Sequence, residues 1–278
     1  MKKIKAVLLY EFREIFSKSK ILLMLFFVVI LYESIFFTLR SLCNDTGLVL
    51  GVFEPFILIC SKNTNVMLIP ILYVLIISGF PYCKVDYFRI SRIGKKAWLC
   101  GELLFVTVFA FVMVSVLAIG TVIPIMQNIA PIANEWSSFM VDFRSGFPEL
   151  YMENTHLCLD MAYTLHGTPI FEGFYCFVVM WLNLSIIGVF ILLGTVVGKQ
   201  LPFLAVAVAG AIIGCGSIYF AGALKWIFPI VHTQYGLHFN AVFSGNNFPL
   251  LGTFIYLGMI LVVEVFACGF LLKKMKKF

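Results

Sequence analysis

Phe174-Tyr-Cys-Phe-Val-Val-Met-Trp-Leu-Asn-Leu-Ser-Ile-Ile-Gly-Val-Phe-Ile-Leu-Leu-Gly-Thr-Val-Val197 runs for 24 residues without a charged side chain. A helix needs about 20 apolar residues to cross the roughly 30 Å hydrocarbon layer, so this stretch is long enough to span a bilayer. It lacks the alternation of a barrel strand, and lipid offers the backbone no hydrogen-bond partner, so it must be helical. Gly198-Lys199-Gln200 then separates it from a second run, 201–221, and so short a connection forces an antiparallel hairpin. Working outward in both directions, the same reading gives six spans: 21–39, 66–82, 99–123, 174–197, 201–221 and 250–272.

Composition agrees with a membrane chain. It is 62% hydrophobic and 12% charged, where a globular domain carries roughly 25% charged residues. The predicted fold is all-α and integral to the membrane, one transmembrane domain over residues 1–278. The first run begins after a polar-rich segment and ends in Tyr32-Glu33-Ser34, which is no cleavage site, so it reads as a span and not a signal.

Charge sets the expected topology. Sixteen of the 20 basic residues lie in alternate gaps: six before the first span, Lys84, Arg89, Arg92, Lys95 and Lys96 after the second, Lys199 after the fourth, and four lysines at the C-terminus. The other gaps and segment edges hold Arg40, Lys62, Arg144 and Lys225. Basic loops are retained in the cytoplasm during insertion, so both termini are expected there. The formal charge of +6 then belongs to loops facing anionic lipid and a cytoplasmic partner, not to nucleic-acid binding.

The pieces between spans have character of their own. Ile4, Leu8, Phe12 and Ile15 recur at helical spacing, which predicts an amphipathic helix lying in the lipid interface. Residues 41–65, broken by Gly47, Gly51 and Pro55, read as short interfacial pieces. The cytoplasmic loop Asp86-Tyr87-Phe88-Arg89-Ile90-Ser91-Arg92-Ile93 fits about two helical turns. Asp86 stands in its first turn and Gly94 is its stop. The outer loop 127–173 is acidic and rich in aromatic residues, as expected of short helices packed over the membrane. Residues 222–249 read as a re-entrant or interfacial hairpin on the same outer side.

Ionisable residues in apolar spans mark candidate sites, since inserting each costs about 2.5–3.5 kcal/mol. Glu264 falls near mid-membrane and is the leading candidate for a substrate path or subunit contact. Glu33 is expected to pair with Arg40 or a neighbouring helix, and Glu102 to anchor at the interface near Lys95. Gly210 and Gly214 form a GxxxG among small residues, which lets helices approach closely. Glu153, His156 and Asp160 recur at one face of an expected outer helix, with His166 further on. Such spacing arises by chance on polar helices, so no metal site is expected there. His232 and His238 read as hydrogen-bonded loop residues. Cys43, Cys60 and Cys158 fall on the outer side and read as free thiols. No P-loop exists: Gly194-Thr-Val-Val-Gly198-Lys199-Gln200 lacks the spacing and the Ser/Thr that binds magnesium.

Together these pieces resemble the membrane subunit of an ABC-2 type ABC transporter. The resemblance covers nearly the whole chain and rests on architecture. The closest local likeness is Asp86-Tyr-Phe-Arg-Ile-Ser-Arg-Ile-Gly-Lys-Lys-Ala-Trp98, with Asp86 where the family more often has Glu. The outer loop 127–173 is longer than in compact members. The resemblance implies a dimer of six-helix subunits, identical or similar, in a bacterial cytoplasmic membrane. Separate cytosolic ATPase chains would bind ATP and magnesium, and this chain would hold no cofactor. Residues 86–93 would act as a coupling helix docked in a groove of the ATPase. Cargo would be amphipathic (a peptide, an antimicrobial or a lipid-like molecule) and would leave through the dimer interface. A membrane-embedded enzyme and a stand-alone channel or secondary transporter are the other classes weighed.

Overall fold

The protein is described by a computed structural model covering residues 2–15, 18–77, 87–131, 133–239 and 247–274. Its helices are α1 (Lys2–Ile15), α2 (Lys18–Leu31), α3 (Phe37–Thr46), α4 (Glu54–Ser61), α5 (Asn63–Ile77), α6 (Tyr87–Ile93) and α7 (Lys95–Val122). The outer loop adds α8 (Ser138–Gly146), α9 (Pro148–Glu153) and α10 (Met161–His166), before α11 (Pro169–Val197), α12 (Gln200–Phe220) and α13 (Leu250–Lys274). Among the described residues the only pairing of extended backbone is an isolated bridge between Leu50 and Ile129.

Among the described residues, five helical stretches are long and apolar enough to cross a membrane: Lys20–Thr46, Lys95–Asn128, Pro169–Val197, Gln200–Tyr219 and Leu250–Lys274. They follow the expected runs closely, because length and apolarity are what lipid selects. The first is α2 and α3 joined through a π-helical turn, Tyr32–Phe36.

The second expected span, 66–82, differs. Here α4 and α5 meet at 89° across Lys62, which adopts an extended backbone and sends its Nζ to the Cys158 carbonyl at 2.6 Å. The apolar stretch at 55–60, expected at the interface, is buried instead, with Ile57, Leu58 and Ile59 fully enclosed. Residues 78–82 lie outside the described residues.

α11 is the central helix, with α7, α12 and α13 all packed on it. Gly188 permits the closest approach: a Cβ there would stand 2.3 Å from Val106 and 2.5 Å from the Tyr73 hydroxyl. That hydroxyl donates to the Val106 carbonyl at 3.3 Å, and Trp181 donates to the Thr107 carbonyl at 3.0 Å. These bonds tie α5 and α11 to α7.

At one end of the bundle the connecting segments assemble into a cap. Leu50 and Ala130 exchange backbone bonds with each other's strand-like segments, Arg40 donates to Gln127 at 2.9 Å, and Tyr235 donates to the His166 carbonyl at 3.0 Å. The three gaps expected on one side, 41–65, 127–173 and 222–249, thus meet on one side. At the other end of α7, Lys3 reaches the Arg92 carbonyl at 3.5 Å. There α1 packs along α7. Val7 presses on Gly101, where a Cβ would come within 2.7 Å, and Phe12 packs edge-on to Phe105 at 5.3 Å. Of the expected stripe, Ile15 is buried, while Ile4, Leu8 and Phe12 stay half-buried.

Candidate functional site

Where α11, α12 and α13 converge, small residues on α12 leave a pocket of about 210 Å³. Ala207, Gly210 and Ala211 form its floor, and Phe228, Pro229 and Ile230 close it from the cap side. The closing segment belongs to a run of short 3₁₀ turns, Gly222–Ile227, Pro229–Thr233 and Tyr235–His238. Ile230 descends beside α12 as far as Gly214, where a Cβ would meet its Cγ2 at 2.4 Å. Six residues from the end of α12, that is a depth of about 9 Å. Gly214 therefore receives Ile230, while Gly210 opens onto the pocket with nothing within 4 Å of a Cβ.

Two polar side chains face this apolar space. Asn183 of α11 is 1% exposed, and its Nδ2 donates to no described group. Glu264 of α13 presents an Oε2 that accepts from none. A buried donor or acceptor left unpaired costs roughly 1–3 kcal/mol, so the pair favours a guest that supplies both an acceptor and a donor. An amide, or an amine with a neighbouring oxygen, meets that need. Glu264 was legible as an intramembrane carboxylate; Asn183 was not singled out, and only its place on a charge-free span could have flagged it.

The other two carboxylates differ from each other in exposure. Glu33 is exposed on the π-helical turn, and Arg40 is turned to Gln127 instead of toward it. Glu102 is completely buried, beside Gly101, the position on which Val7 of α1 presses.

The cap holds a cavity of about 800 Å³ lined by Trp136, Arg144, Tyr151, Asp160, Tyr163 and Lys225. Glu153, His156 and Asp160 do not share a helix. They fall at the end of α9, in a 3₁₀ turn and at the N-cap of α10, while His166 stacks on Phe239 at 4.6 Å. The chain leaves helical conformation at Asn154 and again at Cys158, which breaks the expected face. Among the described residues no group of three or more His, Cys, Asp and Glu could hold a metal. The described cysteines are free thiols.

His232 and His238 form a buried knot beside Trp226. The Trp226 carbonyl can only accept, so His232 donates from Nε2 at 2.9 Å and accepts from Thr253 at Nδ1 at 3.0 Å. His238 likewise donates from Nδ1 to the Phe248 carbonyl at 3.0 Å and receives the Tyr175 hydroxyl at Nε2 at 2.8 Å. Burial disfavours the imidazolium, lowering His232 and pushing His238 down to about 4.

On the basic face, α6 is a seven-residue helix with Ile90 buried and Ser91 and Arg92 exposed. Gly94, at φ 94°, returns its N–H to the Ile90 carbonyl at 2.8 Å and starts α7. That backbone favours glycine, so the expected stop falls where expected. Tyr87, Phe88 and Arg89 belong to the helix; Asp86 lies outside the described residues. Comparison with protein-family models, curated proteins and solved structures yields no match for this chain.

Proposed function

We propose that this chain is the membrane-spanning permease subunit of an ATP-driven exporter similar to the ABC-2 type. In this reading the bundle crosses a bacterial cytoplasmic membrane six times, with α4 and α5 together as the bent second crossing and the cap outside. Both termini and α6 are cytoplasmic. ATP and magnesium bind separate ATPase chains, and a second permease subunit completes the path for an amphipathic cargo such as a peptide, an antimicrobial or a lipid-like molecule.

The observation that carries the proposal is α6. A short basic helix between two membrane helices, touched by Lys3 of α1 and running into α7 through Gly94, can transmit a push from a soluble partner to the bundle. The buried Ile90 fixes it to the protein, and the exposed Arg92 offers a cation to partner carboxylates. The Asn183 and Glu264 pocket supports a cargo with both apolar bulk and hydrogen-bonding groups.

The test is reconstitution with the ATPase that co-purifies. Arg92→Glu is expected to leave insertion and ATP hydrolysis intact while transport falls about tenfold or more. Unchanged transport in that variant, or purification without any ATPase, overturns the assignment.

A further inference from the structure

The cap cavity, about 800 Å³, is of the size that encloses a whole small molecule. Its aromatic walls come from segments far apart in the chain: Trp136 just before α8, Phe139 within it, Tyr163 on α10, and Phe239 after the last 3₁₀ turn. These rings are fixed before any guest arrives. Trp136 donates from Nε1 to the Gly167 carbonyl at 2.9 Å, and Phe139 stacks on Phe143 at 4.7 Å. Tyr163 lies so close over Gly236 that a Cβ there would come within 2.3 Å of its ring. Flat walls already held in place favour flat guests, since little freedom is lost when the rings meet.

Aromatic walls alone would admit any ring; charge chooses among them. Arg144 of α8 and Lys225 of the Gly222–Ile227 turn line the same cavity. Each rests on a ring: the Arg144 guanidinium 5.5 Å over Tyr151, the Lys225 ammonium 5.3 Å over Trp226. No described carboxylate pairs with either. A ring offers a cation less than the charge-assisted hydrogen bonds of an oxyanion do, and a guanidinium fork takes an oxyanion through two parallel bonds. Among the described residues Asp160 is the one acid in the lining. It has a cation of its own, because Lys62, whose Nζ donates to the nearby Cys158 carbonyl, feels its charge. Arg144 and Lys225 are then left to set the sign inside the cavity.

We propose that the cap cavity binds a small aromatic anion: a flat ring system against Trp136, Tyr163 and Phe239, with a carboxylate or like oxyanion drawn to Arg144 and Lys225. Neither an ATPase nor a transported cargo enters the inference, so it stands or falls separately from the exporter reading.

The test holds the full chain in nanodiscs of zwitterionic phosphatidylcholine and titrates it calorimetrically, with discs lacking protein as the blank. Naphthalene-2-sulfonate should bind once per chain. It should bind on the order of tenfold tighter than 2-naphthylmethylammonium, its cationic counterpart, since each exposed cation contributes up to several-fold. Cyclohexanesulfonate, which has the charge without a flat ring, should bind about fivefold more weakly than naphthalene-2-sulfonate. Arg144→Glu with Lys225→Glu should reverse the order of the two naphthalene probes, an outcome that misfolding does not mimic. If that variant does not fold, Arg144→Glu alone, at an exposed position, should still cut the preference about threefold. Thr164→Trp adds bulk to the lining with both cations intact and should weaken both naphthalene probes. Equal affinity for the sulfonate and the ammonium overturns the proposal, as does cyclohexanesulfonate binding as tightly as naphthalene-2-sulfonate. Undiminished sulfonate affinity in Thr164→Trp overturns it too, because the probe would then sit elsewhere.

Discussion

At the scale of single residues, the imidazoles of His232 and His238 are held neutral by burial, which outweighs the opposing pull of the carbonyls that accept from one ring nitrogen of each. In the unfolded chain each titrates near 6.5. Between that pH and about 4 the unfolded chain takes up a proton that folded His238 refuses, so stability falls as pH falls through this window. The loss from His238 alone is on the order of 3 kcal/mol by pH 4. Thermal melts of the purified protein should show a declining midpoint from pH 6.5 downward. His238→Phe should melt lower at neutral pH yet show a shallower decline. A decline just as steep in that variant would remove His238 as its cause. The carboxylates teach a related lesson: Glu33, Glu102 and Glu264 look alike in sequence, and neighbours from distant segments decide which is exposed, which is covered and which faces a pocket.

At the scale of elements, the N-terminal residue of α4 staples the cap to the bundle. Glu54 accepts from the Ser137 N–H at 2.7 Å, the Ser137 hydroxyl at 2.5 Å and the Gly51 N–H at 2.8 Å, and it is fully buried. Glu54→Ala leaves three donors unpaired and should cost roughly 2–4 kcal/mol. Protease should then cut the segment around Ser137 faster, with the membrane helices still protected; an unchanged cleavage rate would count against the staple. The sequence made some elements plain and hid others. Five apolar runs announced their helices because length alone identifies a crossing. The bend at Lys62 was hidden because α4 has only eight residues, too few to register as a crossing by themselves. The pocket was hidden for a different reason: Asn183 and Glu264 lie on helices separated by two connections, and no local spacing joins them. The stripe of α1 could be read, but whether lipid or α7 covers it depends on Gly101, a position whose lack of a side chain matters only once the helices touch.

At the scale of the molecule, the cap and the lysine-rich face sit at opposite ends of α7, and the charge sorting of the sequence runs along the same axis. Under the proposed orientation, Asp142→Cys on the cap should react with a membrane-impermeant thiol reagent added outside sealed cells. Lys96→Cys should react only after the membrane is opened, with exposed Cys100 replaced by Ser in both. The reverse pattern would invert the topology and remove α6 from the cytoplasm.

The cap also constrains how the protein is made. Glu54 meets Ser137 across 83 positions of chain, and Tyr175 meets His238 across 63. During synthesis these groups wait, unsatisfied, until later segments have been made and have folded back to join them. A ribosome that stalls, or a helix that enters the translocon the wrong way round, leaves that waiting polarity uncovered. Membrane quality-control proteases would then find the faulty chain by its unfinished lid.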